Sequence, residues 1–127
     1  MPGNSMGSKV LVIDDSKTAR KEVVRVVHNH GILTHEAQNG KEALALLEEK
    51  GNISLVFCDV NMPEMNGIEF LEAVKANPKH EKLPIVMLTS EATQDVMRRA
   101  KELGVTGWII KPADPNTVNT LLATFCS

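Results

Sequence analysis

Val10-Leu-Val-Ile-Asp14-Asp15-Ser16 is a four-residue apolar run that stops on two acids. Such a run reads as a buried strand. The same arrangement recurs along the chain. Ile53 to Cys58 ends at Asp59, Ile85-Val-Met-Leu88 ends at Thr89, and Trp108-Ile-Ile110 ends at Lys111. If these strands lie parallel in one sheet, their carboxyl ends line one edge, where open α/β sheets place their ligand sites. Three carboxylates, a hydroxyl and an ammonium would then converge, a set suited to a divalent cation and a phosphoryl group.

The stretches between these runs read as helices. The pattern predicts strands over about Lys9 to Ile13, Ile32 to Ala37, Ile53 to Asp59, Ile85 to Thr89 and Gly107 to Ile110. It predicts helices over about Lys17 to Asn29, Asn39 to Glu49, Asn66 to Ala76, Gln94 to Leu103 and Asp114 to Thr124. Ser16 is the expected cap of the first helix, and Gly31 its stop. Asn39 with Glu42, and Asn66 with Glu69, read as capping boxes. Asp114 caps the last helix, with Pro115 at the favoured first position. Four valines, Val23, Val24, Val26 and Val27, make the first helix poor in intrinsic propensity. Five strands alternating with five helices predict a parallel sheet covered on both faces.

At 127 residues the chain is expected to form one domain over residues 9–127, with residues 1–8 a flexible N-terminal tail. A hydrophobic content of 43% with 24% charged residues is that of a soluble globular protein. The net charge of -2 provides no basic field for nucleic acid. No apolar run approaches the roughly 20 residues that span a bilayer, and the start lacks a signal peptide's basic and apolar regions. The two cysteines, Cys58 and Cys126, show no framework spacing, which points to a reducing cytoplasm. Cys58 reads as a core thiol. His28, His30, His35 and His80 form no zinc pattern and read as surface residues.

Taken singly, each edge residue has an ordinary structural use. An Asp pair can cap a turn, a Thr can end a strand, and a Lys before Pro can be a solvated charge. Their joint occurrence at the ends of runs one, three, four and five of one alternating pattern favours a site. A carboxylate at a strand tip is a competent nucleophile toward phosphorus. Asp14 and Asp15 supply oxygen ligands of the kind magnesium prefers. Lys111 offers a point charge to phosphoryl oxygens, and Thr89 a hydroxyl donor.

The stretches Val10 to Ser16, Asp59-Val-Asn61-Met62-Pro63-Glu-Met-Asn66-Gly67, Met87-Leu-Thr89-Ser90-Glu91-Ala92 and Gly107-Trp108-Ile-Ile-Lys111-Pro112 together resemble the receiver domain of bacterial two-component response regulators. The nearest type is the single-domain, chemotaxis-like (CheY-like) regulator. The resemblance spans about Lys9 to Phe125. It implies a flavodoxin-like doubly wound sheet of strand order 2-1-3-4-5. It implies that Asp59 is the phosphoacceptor and that Asp14, Asp15, Asp59 and the backbone carbonyl of Asn61 hold Mg2+. Thr89 and Lys111 would bind the phosphoryl group, and the Lys111-Pro112 bond would be cis. Asn61 and Glu91 occupy the positions that tune hydrolysis of the aspartyl phosphate, and both match the chemotaxis type.

Thr89 and Trp108 occupy the family's switch positions. Trp108 departs from the usual Tyr or Phe. Its larger ring and the needs of its N–H argue against an inward swing and for an outward recognition residue. Ala113 is a second departure, since an aromatic residue often follows the proline. The implied partners are a sensor histidine kinase or phosphotransfer protein, a phospho-dependent protein target and a phosphatase, with neither nucleic acid nor membrane bound directly. The implied activity is confined to the protein's own phosphorylation and dephosphorylation, and switches a surface over about Gln94 to Thr124. Three readings compete: a receiver from a larger kinase or transcriptional regulator, a phosphorelay intermediate, and a Mg-dependent small-molecule phosphohydrolase. Asn61 stands where the last would need a second acid.

Overall fold

The computed structural model describes residues 8–91 and 93–126. The sequence expectation for residues 1–8 therefore falls, but for Ser8, outside the described residues. The element order is β1 (Lys9–Ile13), α1 (Lys17–His28), β2 (Leu33–Ala37), α2 (Gly40–Glu49), β3 (Ile53–Asp59), α3 (Gly67–Lys75), β4 (Ile85–Thr89), α4 (Gln94–Glu102), β5 (Gly107–Ile110) and α5 (Pro115–Phe125). All strand pairs are parallel, in the order β2-β1-β3-β4-β5.

The alternating side chains of the three inner strands build two separate cores. Val10, Val12, Leu55, Phe57, Val86 and Leu88 face one way and pack with Val23, Val24 and Val27 of α1 and Val118 and Leu122 of α5. Leu11, Ile13, Val56, Cys58, Ile85 and Met87 face the other way and pack with Ala43 and Leu47 of α2, Phe70, Leu71 and Val74 of α3, and Ala100 of α4. Burial on both faces explains why β1, β3 and β4 are continuous apolar runs rather than alternating ones. The edge strands carry less of the core: Leu33 on β2 and Ile110 on β5 are exposed. The valine stripe of α1 shows packing overriding propensity.

Helix ends follow their local chemistry. Ser16 Oγ accepts from the Ala19 amide, and Asp114 Oδ1 from the Asn116 amide. Asn66 and Glu69 form the full reciprocal box. At α2 the box is displaced: Asn39 accepts from the Glu42 amide, but Glu42 Oε1 accepts from Gln38 rather than from Asn39. The Asn39 side chain instead donates across to Glu64 Oε2 at 3.1 Å, tying α2 to the loop after β3. The surface reading holds for exposed His28 and His30, which contact Thr34 and Asn119. It fails for His35 and His80, which are half-buried with ring Nε2 atoms enclosed. His35 lies mid-strand on β2, opposite Leu11, and burial followed by Lys9 and Lys50 lowers its pKa. Among the described residues, no helix is long and apolar enough to cross a membrane.

The sheet reverses its direction of growth at β1. The chain adds β2 on one side of β1 and β3 on the other, so the carboxyl ends of β1 and β3 flank a crevice at the switch point. Gly67, which opens α3, closes down on this crevice. Its amide donates to Val60 O at 2.8 Å. A Cβ there would overlap the Asp59 carbonyl oxygen and lie 2.6 Å from Met87 Cε and 2.9 Å from Val60 Cα. We expect Gly67→Ala to destabilise the fold by about 2 kcal/mol through overpacking against main chain that has nowhere to move. Denaturant unfolding measures this, and a variant as stable as the parent would contradict the rigidity of the contact.

Candidate functional site

The strand tips carry the expected residues to one edge. Asp14 follows β1 and is fully buried, while Asp15 is exposed. Asp59 is the last residue of β3 and is 5% exposed. One carboxylate oxygen from each of Asp14, Asp15 and Asp59 lies within 4.8 Å of the others. Lys111, reaching in from the end of β5, sets its Nζ 2.7 Å from Asp14 Oδ2 and 3.3 Å from Asp59 Oδ1.

Main-chain bonds hold these tips beyond the strands proper. The Asp14 amide donates to Ala37 O at 3.0 Å, the Val60 amide to Leu88 O at 3.0 Å, and the Lys111 amide to Thr89 O at 2.8 Å. Asp14 Oδ1 accepts from the Ser16 amide at 2.9 Å. Its other oxygen is enclosed beside the Lys111 ammonium.

The electrostatics follow from this crowding. Burial, then the charge of Asp14, pushes the Asp59 carboxyl up to about 6 against the opposing pull of Lys111, and Asp15 adds to the rise. Burial disfavours the Lys111 ammonium, but Asp14 and Asp59 overcome that and hold its pKa above the usual lysine value. Burial, reinforced by Asp59 and Asp14, keeps the neighbouring Cys58 thiol well above its ordinary range, as befits a core thiol. A group of hard oxygen donors that repel one another fits a divalent cation, which would bind them and remove the repulsion.

The other expected residues are placed as follows. The Lys111-Pro112 peptide is cis. Thr89 is buried at the end of β4, beside the strand that ends in Asp59. Its hydroxyl donates to Glu91 O at 2.6 Å and accepts from the Glu91 amide at 3.1 Å, so it serves its own loop. Asn61 and Glu91 are exposed on the two flanking loops. Trp108 does not stand outward: it is half-buried against the α2/α3/α4 core, and its indole N–H is enclosed with no hydrogen-bond partner. Packing area outweighs the unmet N–H here.

Sequence reading missed Arg20. It occupies the core-facing stripe with Val23, Val24 and Val27, and is buried with them. Its Nη1 donates to the main-chain oxygen of Asp14 at 2.7 Å and its Nε to Glu36 Oε1 at 2.9 Å. The available signal was its spacing, since residues 20, 23, 24 and 27 share one helical face.

The model of the response regulator receiver domain matches residues 10–123. The chain belongs to the response regulator receiver family. This receiver is 36% identical over 118 residues to a chemotaxis protein CheY homolog of Campylobacter jejuni, covering 90% of this chain and 88% of that protein. It is 38% identical over 105 residues to the chemotaxis protein CheY of Pseudomonas aeruginosa, covering 82% and 84% respectively. The structure of CheY4 of Vibrio cholerae superposes on the receiver with a TM-score of 0.84 at 36% identity, covering 93% of this chain and 98% of that one.

The raised pKa of Asp59 has a stability consequence. Its protonated form contributes stability that is fully present below the ordinary value of 3.8 and is lost as pH rises through about 6. Asp59→Asn removes that loss. We expect the variant to melt about 5 °C higher than the parent at pH 8, and the two to converge near pH 4. Thermal melts across that range test this, and equal melting temperatures at pH 8 would show that Lys111 fully offsets the repulsion.

Proposed function

We propose that this receiver takes a phosphoryl group onto Asp59 from the phosphohistidine of a sensor histidine kinase or phosphotransfer protein, and thereby switches a protein-binding surface. The observation that carries the reading is the meeting of three carboxylates and one ammonium at the crevice between β1 and β3. An Asp59 carboxylate oxygen attacks phosphorus in line. The P–O bond forms as the P–N bond to the donor imidazole breaks, and the imidazole recovers its proton from solvent. Because Asp59 must act ionised, a cation that relieves the repulsion behind its raised pKa would favour the reaction.

Asp14, Asp15 and Asp59, with the backbone carbonyl of Asn61, would hold Mg2+. Bound there, the ion would neutralise charge on the carboxylates and on phosphoryl oxygens. Lys111 exchanges its contacts with Asp14 and Asp59 for phosphoryl oxygens. Thr89 releases Glu91 to donate its hydroxyl to the same group. That exchange biases the segment from α4 through β5 to α5, about Gln94 to Thr124, which carries Trp108. The partner read by this surface is a protein, and the setting is the cytoplasm. Water then hydrolyses the aspartyl phosphate, with Asn61 and Glu91 beside the site setting access and a phosphatase acting there. The catalysis is confined to the protein's own phosphorylation and dephosphorylation.

Incubation with acetyl phosphate and magnesium, followed by intact-mass measurement, tests the proposal. We expect a labile phosphoryl adduct that requires magnesium, disappears in Asp59→Asn and falls at least about tenfold in Lys111→Met. An adduct that survives in Asp59→Asn would put the acceptor elsewhere. Failure of both acetyl phosphate and beryllofluoride to perturb the parent would remove the phosphoacceptor reading altogether.

A further inference from the structure

Among the described residues four polar side chains are buried: Asp14, Arg20, Asp59 and Thr89. Three belong to the chemistry above. Arg20 touches none of the atoms that would react, yet it stands where a valine-like residue would fill the core without a desolvation cost. Its hydrogen bonds say what it does there. Asp14 O, the acceptor for Nη1, belongs to the peptide linking Asp14 to Asp15. That peptide is a rigid plane, so fixing its oxygen fixes the exit directions of both residues. The other end of the fork is anchored on Glu36 of β2, whose second oxygen takes Lys21 Nζ at 2.8 Å. Burial alone would raise the Glu36 pKa, but the bonds from Lys21 and Arg20 hold it below the ordinary value, so the anchor stays charged.

We propose that Arg20 is a positioning residue for the acidic pocket: braced on Glu36, it fixes the Asp14-Asp15 peptide and so sets the carboxylate spacing on which divalent-cation affinity depends. This inference rests on the proposed cation site. Charge and geometry predict opposite signs for its removal. As a mere charge beside three carboxylates, Arg20 repels a cation, so its loss would tighten binding. As a brace, it holds the ligands in register, so its loss weakens binding.

The test is Mg2+ affinity by calorimetry on folded parent, Arg20→Met and Arg20→Lys. It is paired with hydrogen exchange of the Ser16 amide in the metal-free proteins, because that amide donates to Asp14 Oδ1. Met keeps most of the apolar stem, and Lys keeps the charge but lacks the planar fork that ties two acceptors. We expect Mg2+ affinity to fall about tenfold in Arg20→Met and by less in Arg20→Lys. Ser16 exchange should quicken in the same order. A merely structural Arg20 would lower the melting temperature while leaving the cation affinity of the folded protein unchanged. Unchanged or tighter binding in Arg20→Met overturns the inference. If Arg20→Met does not fold, Arg20→Lys decides by the same criterion. If the parent itself binds no Mg2+, the cation reading fails instead, and unaltered Ser16 exchange in the variants would then dispose of the brace.

Discussion

The repulsion among Asp14, Asp15 and Asp59 is the constraint around which this molecule is arranged. Nothing in the apolar core requires carboxylates at those tips, and burial raises the cost of their charge. The protein offsets that cost with Lys111 drawn in from β5, a third strand end. The offset is partial, since Asp59 still titrates at about 6. An incompletely neutralised pocket has affinity for added positive charge, and that residual affinity is what makes a structural cluster usable as a site.

Keeping like charges close requires a stiff frame. Much of that stiffness comes from main chain rather than from the acids themselves. The amides of Asp14, Val60 and Lys111 extend the sheet ladder one step past each strand end, and the Gly67 amide closes α3 onto Val60. Both layers of helices contribute: α1 through Ser16 and Arg20, and α3 through Gly67. The site therefore inherits its geometry from both cores at once, and a substitution in either can reach it.

The features legible in sequence were those fixed by short-range or periodic chemistry. The inner strands announced themselves as unbroken apolar runs because both faces are covered, and their tips announced the acids, Thr89 and Lys111. The Asn66 box and the Asp114 cap were readable because their partners lie within three residues. What escaped depended on atoms distant in sequence. Glu42 turns to Gln38, and the Asn39 Nδ2 reaches Glu64, a contact that local spacing does not encode. Trp108 was placed outward on the needs of its N–H, whereas the neighbouring core accepts the ring and leaves the N–H unmet. His80 was read as solvated, yet it packs after α3 with its Nε2 3.7 Å from Glu48. Arg20 was hidden by its type, because a charged residue on an apolar stripe is ordinarily solvated.

The Thr89 hydroxyl, as donor and acceptor to the Glu91 backbone, makes one oxygen the latch of a loop. A ligand that accepts this hydroxyl's proton breaks its bond to Glu91 O, so the free energy of that bond subtracts from the ligand's affinity. The relation is reciprocal. A protein that grips the loop in its released arrangement strengthens the ligand by the same factor by which the ligand strengthens that grip. The strength of these two hydrogen bonds would thus set how strongly a ligand at the hydroxyl and a protein on the loop feel each other.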